Sequence, residues 1–367
     1  MRPVGAHDPV GEILPVPPLL KEGTQKPPLG KGAARSAGGF CGVADEEKTF
    51  ANSTIHERGV ALVTTLLAVT LLTIAVVEFA YSSQVDYHLA YNALRSLQAS
   101  ALARSGVNLA TVVLKKDLTS PSGIDTLGEA WARPLPPLPV GEGMVLVRVT
   151  DEQGKVNLNA LRNANGTINL AWREVAERLF GLRGLDPSLL EPLVDWLDAD
   201  DFPEPHGAER DQYLQLTPPY TPSNGPLLTL GELGRISGLT TVVRARLDEV
   251  VSVLPSQTTL VNVNTAPSEV LTALFPTVDP KLLEQFLATR KETPVRGTNE
   301  FSTRLGLEPR TSARVLQLVA VRSEFFAIAA IATVEPVSQA LTVRVRRHSG
   351  RVVPISWQTT VPLAERG

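Results

Sequence analysis

Residues 56–81 read HERGVALVTTLLAVTLLTIAVVEFAY. From Val60 to Val77 eighteen residues pass without a charge, with Arg58 before them and Glu78 after. That length sits at the low end of what crosses a bilayer core as a helix. Thr64, Thr65, Thr70 and Thr73 fit such a helix because a hydroxyl can bond back to a carbonyl of the preceding turn. Arg58 predicts an N-terminus on the cytoplasmic side. A buried core helix is the competing reading, and the flanking charge speaks against it.

No proline interrupts residues 81–118, and Leu94, Leu97, Ala101 and Leu102 recur at helical spacing. One helix over 60–118 would be about 88 Å long at ~1.5 Å per residue. Its first half is apolar all round and its second half amphipathic.

Working outward, the chain has 367 residues, room for two or three domains. With 43% hydrophobic residues it can bury a core, and with 5% aromatics it lacks a broad stacking platform for nucleic acid. A net charge of −3 gives no reason to expect a polyanion partner. Cys41 is the only cysteine, so no disulfide framework or cysteine-held zinc exists beyond Gly59. Residues 1–59 are Pro- and Gly-rich without a hydrophobic period and are expected to be a leader, a misassigned start or disordered.

Residues 119–160 read as a Pro/Gly-rich connection and the first part of a sheet domain. Val145, Val147 and Val149 alternate, Asp151–Gly154 turns, and Val156 and Leu158 resume, which predicts a hairpin. Helical patterns fill 161–258 and 259–322, and strands return over 323–367. Strand, helical insertion, strand is an α+β sheet domain interrupted by an all-α insertion.

Residues 191–211 carry Glu191, Asp195, Asp198, Asp200, Asp201, Glu204, Glu209 and Asp211 against Arg210 and His206. Such acids repel one another unless solvated or neutralised, and a set of hard oxygens without Cys or clustered His suits calcium. The spacing is not that of an EF-hand, since Pro203 stands where the turn glycine would be if Asp198 were first. A solvated acidic loop and a calcium site both remain open on the residues alone. No nucleophile–base pair, phosphate loop or HExxH is present, so no catalysis is expected. VNVNTAPSEVLTAL and TLGELGRISGLT read like helix-hairpin-helix segments, but FPTVDP after Leu274 lacks the glycine that would grip phosphate.

Gly59 before an apolar helix resembles a type IV prepilin processing site, and the chain over about 57–361 resembles the GspK family of type II secretion minor pseudopilins. The motifs that carry this are DEQGKVNLN, VDWLDADDFPEPHGAERDQY, PPYTPSNGPLLTLGEL and VNVNTAPSEVLTAL. The resemblance implies a stalk helix over 60–118 and a pilin-like α/β domain with an inserted SAM-like or helix-hairpin-helix-like α-domain. It implies cleavage after Gly59 by a prepilin peptidase, methylation of Val60, and a single pass through the inner membrane with a periplasmic head. Pilins commonly hold a glutamate five residues after the cut; Thr64 stands there. A neutral residue cannot neutralise the buried amine of a preceding subunit, so Thr64 implies a first subunit.

The family also implies calcium held by Asp198, Asp200, Asp201, Glu209 and Asp211, with Asn224 as a further ligand. Arg210 replaces the acid of the family's usual GAED and would weaken one site. The implied partners are the minor pseudopilins I and J and the major pseudopilin filament, with no nucleic acid. From the helix alone, a signal-anchored periplasmic binding or scaffold protein reads equally, and a competence-type DNA-binding protein is the third reading.

Overall fold

The structure is a computed structural model and describes residues 54–118, 123–133, 136–256 and 259–360. The expectations for residues 1–53, and for the Arg58 side chain, lie outside the described residues. The chain divides into two units, residues 1–74 and 75–367. Helix α1 (Thr54–Asp117) contributes to both. From Gly59 to Ala90 its residues are exposed, so the buried-core-helix reading is excluded for that stretch. In its last turns Ala99, Leu102, Ala103, Val107, Ala110 and Leu114 form the buried stripe. Leu94, Leu97 and Ala101, expected on that face with Leu102, are exposed, because at ~100° per residue they fall on the side of α1 opposite the buried stripe.

The sheet has the order β1–β2–β7–β8–β9 (Leu138–Val140, Gly143–Asp151, Phe325–Val334, Val337–His348 and Arg351–Thr360), antiparallel throughout. β1 (Leu138–Val140) and β2 (Gly143–Asp151) precede the insertion. β2 presents Val145 and Val147 to α1, and an added Cβ at Gly106 would lie 2.8 Å from Val147 Cγ2. That glycine lets helix and sheet approach closely. The expected hairpin does not form. The Asp151 carboxylate accepts from Gln153 N–H at 2.8 Å and turns the chain out of the sheet through Glu152–Gly154. β2 pairs instead with the strand that follows the insertion, Asp151 facing Phe326.

The insertion consists of two repeats. The first contains β3 (Val156–Asn157), α2 (Leu170–Leu182), α3 (Leu190–Leu197), α4 (Arg210–Leu214), α5 (Thr241–Leu247) and β4 (Val251–Ser252). The second contains β5 (Val261–Asn262), α6 (Ser268–Leu274), α7 (Pro280–Thr289), α8 (Thr298–Arg304), α9 (Pro309–Leu316) and β6 (Val319–Ala320). Each repeat closes with its last strand parallel to its first.

The sequences correspond: AWREVAERLF (171–180) with APSEVLTALF (266–275), DPSLLE (186–191) with DPKLLE (279–284), and GRISGL (234–239) with STRLGL (302–307). Asp186 and Asp279 both cap their helical turns, accepting from Ser188 N–H and Lys281 N–H at 2.9 Å. Gly238 and Gly306 both take positive φ, 78° and 59°, where a side chain would be strained.

Asparagine latches repeat as well. Asn157 and Asn262 accept through Oδ1 from the N–H of Asn159 and Asn264 at 3.2 and 3.0 Å. Asn159 then pairs with both backbone groups of Leu227 (2.8 and 2.9 Å), as Asn264 does with Val295 (3.0 and 3.0 Å). Both repeats contribute to one hydrophobic core, which runs from Val156 to Val319.

The sheet resumes with β7 (Phe325–Val334), β8 (Val337–His348) and β9 (Arg351–Thr360). Phe326, Ile328, Ala330 and Ala332 join Leu341, Val343 and Val345 under α1. Each large apolar side chain so buried contributes ~1.5–3 kcal/mol. Asp151 fastens the insertion to this sheet: its Oδ2 accepts from Ser323 Oγ (2.6 Å), Thr265 Oγ1 (2.7 Å) and Asn262 Nδ2 (3.1 Å). Burial pushes its carboxyl up to about 6, and these donors oppose the rise.

Candidate functional site: a buried carboxylate cluster

Helix α3 reads LEPLVDWL and is buried on nearly all sides, Asp195 included. A charged side chain in so apolar a helix needs compensation. The turn Glu204–Gly207 wraps its carboxylate, with Glu204 N–H donating at 3.1 Å and Ala208 N–H also donating. An added Cβ at Gly207 would lie 1.8 Å from Asp195 Oδ2, so no other residue fits that turn. Burial nevertheless raises the Asp195 carboxyl above its usual range.

Asp198 leaves the end of α3 in an extended conformation, and Glu209 begins α4. Ligand oxygens of Asp195, Asp198 and Glu209 lie within 4.8 Å of one another, and all three residues are buried. Asp198 Oδ1 has no hydrogen-bond partner, and neither oxygen of Glu209 makes a full hydrogen bond. Burial, followed by the charges of Asp195, Asp201 and Asp200, pushes the Glu209 carboxyl up to about 7. The Arg210 backbone N–H offsets this only slightly.

One guanidinium answers these carboxylates directly: Arg162 lies 2.5 Å from Asp198 Oδ2. When all three are ionised, as they would be around a bound cation, one arginine leaves an excess of two negative charges. A second close acidic group among the described residues, Asp117, Asp125 and Glu129, differs. There Arg347 bridges Asp117 at 2.6 Å and also binds Asp125, while Glu129 accepts from Trp131 Nε1 at 2.9 Å. That group is satisfied by protein donors; the first is not. Surplus acceptors with two excess charges suit a hard divalent cation, so the donor set fits calcium.

The remaining expected ligands sit around this cluster. Asp200 is exposed and accepts from Phe202 N–H at 3.0 Å. Asn224, at a positive φ of 45°, donates to the Asp200 carbonyl (3.1 Å) and to Asp201 (3.3 Å). Its own Oδ1 is buried without a partner. Asp211 is exposed in the first turn of α4, outside the close group, and Arg210 beside it is exposed too. Trp196 and Tyr213 pack edge to face at 5.5 Å and belong to the core.

Asp195 lies outside the expected ligand set, and Arg162 was not among the residues expected at the site. The signal for Asp195 was available, a lone acid between Val194 and Trp196 in an apolar run; Arg162, distant in sequence, gave none. Gly59, Val60 and Thr64, the residues expected at a processing site, are exposed on α1, which starts before Gly59. Thr64 Oγ1 donates to the Ala61 carbonyl at 3.0 Å.

Residues 154–256 and 261–322 each match a family model described as type II secretion system (T2SS), protein K. These spans coincide with the two repeats. A curated relative named type II secretion system protein K, from Pseudomonas aeruginosa, is 35% identical over 259 residues, 68% of this chain and 77% of the relative. One of that name from Klebsiella pneumoniae is 30% identical over 283 residues, 74% and 86% of the two chains. The fold is similar to a chain in the crystal structure of the GspK-GspI-GspJ complex from enterotoxigenic Escherichia coli. The TM-score is 0.66 at 21% identity, covering 74% of this chain and 99% of that one. With its anchor-length helix, its interrupted sheet and its doubled insertion, the chain belongs to the protein K family, the minor pseudopilins of type II secretion systems.

Proposed function

We propose that this chain is the leading subunit of a pseudopilus, starting its assembly and supporting export of folded proteins across the outer membrane. Its N-terminal helix anchors it once in the inner membrane with the head in the periplasm. A prepilin peptidase cuts after Gly59 and methylates Val60. The solved relative sits in a complex with GspI and GspJ; the corresponding minor pseudopilins are the proposed partners here, above the major pseudopilin filament. Its work is mechanical, with no nucleic acid involved.

The observation that carries this reading is Thr64. Its hydroxyl is spent on the carbonyl of Ala61, and it bears no charge. An amine buried beside it in an apolar bundle would stay uncompensated, at a cost of several kcal/mol. A subunit ahead of this one is therefore disfavoured. Mass analysis of the mature membrane form should find methylated Val60 at the N-terminus, and cross-linking should place the chain only at filament ends. A mature form beginning upstream of Val60, or copies along the shaft, would overturn the reading.

Calcium at Asp195, Asp198 and Glu209 is the proposed cofactor, acting structurally to order residues 198–226. The buried excess of negative charge supports it. Melting the protein with and without chelator tests it, and an unchanged midpoint would count against a bound ion.

A further inference from the structure

Helices α2 and α6 pack against one another as counterparts, one from each repeat. Across this contact Arg183, just after α2, reaches Glu269 at the start of α6 at 3.0 Å. The counterpart of Glu269 is Glu174, on α2. Its reciprocal arginine would come from the segment after α6. That segment is PTV (276–278), two residues shorter than GLRGL (181–185), and Arg183 has no counterpart in it. Among the described residues Glu174, which is exposed, has no ion-pair or hydrogen-bond partner.

A cleft of about 610 Å³ opens where that arginine would lie. Leu282 and Leu307 form apolar wall, and Glu174 and Val278 line it too. Of its charged lining residues Glu174, Asp279 and Glu308 are acidic. Among the described lining residues the one cation, Arg178, already donates through Nε to the Ala273 carbonyl at 2.7 Å. In the first repeat the equivalent space holds the Arg183 guanidinium, and Arg246 donates to Gly184 O at 3.2 Å. The surface thus combines leucines for an aliphatic stem with a carboxylate for a planar cation.

We propose that this cleft docks a protein segment that inserts an arginine side chain, flanked by apolar residues, against Glu174. The inference stands apart from calcium binding and from the place of the chain in the filament. It is tested on the full chain in detergent micelles by fluorescence anisotropy, with a labelled Ala-Leu-Arg-Leu-Ala peptide and its glutamine counterpart.

The arginine peptide should bind about tenfold more tightly, the worth of one charge-assisted hydrogen bond. Glu174→Gln should erase that preference. Thr277→Arg, which supplies the guanidinium within the chain, should block the peptide and raise the melting temperature, the gain vanishing when Glu174→Gln is added. Equal binding of the two peptides, no binding of either, or a preference that survives Glu174→Gln would each overturn the proposal.

Discussion

The two repeats of the insertion share a frame and differ in one loop. Residues 198–226 of the first stand where the second has only 291–294. Lengthening a flexible loop by that ratio costs about 1.7 kcal/mol by the (3/2)RT ln n rule. Both repeats keep the asparagine latch, the aspartate cap, the glycine of positive φ and the closing parallel strands, so the frame does not depend on the loop. The added segment buries three carboxylates around one arginine, which costs more than its length does. The second repeat avoids that cost and instead leaves a cleft. Frame and function are therefore separable here.

The comparison breaks most readily at the latches. Asn159→Ala strands the Leu227 N–H and the carbonyls of Leu227 and Leu254 in the interior. Asn264→Ala strands only the Val295 pair. At ~1–3 kcal/mol per buried unsatisfied group, both should destabilise by several kcal/mol, the first more than the second. Denaturant unfolding of the two variants checks this, and equal small losses would show that the latches are not what hold the repeats.

Next in size is a change of sign at the acidic cluster. Glu209→Gln removes a charge that protein groups leave uncompensated, so the chelated protein should gain ~1–2 kcal/mol while the stabilisation by calcium disappears. Thermal melts in calcium and in chelator give both numbers, and no substitution in the second repeat should respond to calcium.

The pH dependence follows from Glu209. Its folded carboxyl titrates near 7 against an ordinary 4.5. The folded state then holds the proton more tightly, so the stability this group lends is full below about pH 4.5 and is lost as pH rises through 7. Chelated protein should lose melting temperature across that window, and calcium should flatten the loss. A chelated protein equally stable at pH 5 and pH 7 would contradict the buried acid.

The smallest expected effect tests equivalence itself. Asp186→Ala and Asp279→Ala each remove one helix cap, and each should cost about 1 kcal/mol in urea unfolding, with or without calcium.

Local chemistry in the chain was enough for several conclusions. Eighteen uncharged residues after Gly59 define an anchor-length helix whatever surrounds them, because hydropathy and length are local. The strands FFAIAAIATV and ALTVRVRRHSG, the helical blocks and the acidic loop were equally legible from period and composition.

Only tertiary structure decided the rest. Whether β2 pairs with Val156 or with a strand beyond the insertion depends on a partner far along the chain, and period-two alternation names no partner. Leu94 and Ala99 look alike as helical apolar residues until the sheet selects which face of the helix it covers. Asp195 becomes a candidate ligand only when Gly207 folds over it and Asp198 and Glu209 converge, since charge is written in the sequence but proximity and burial are not.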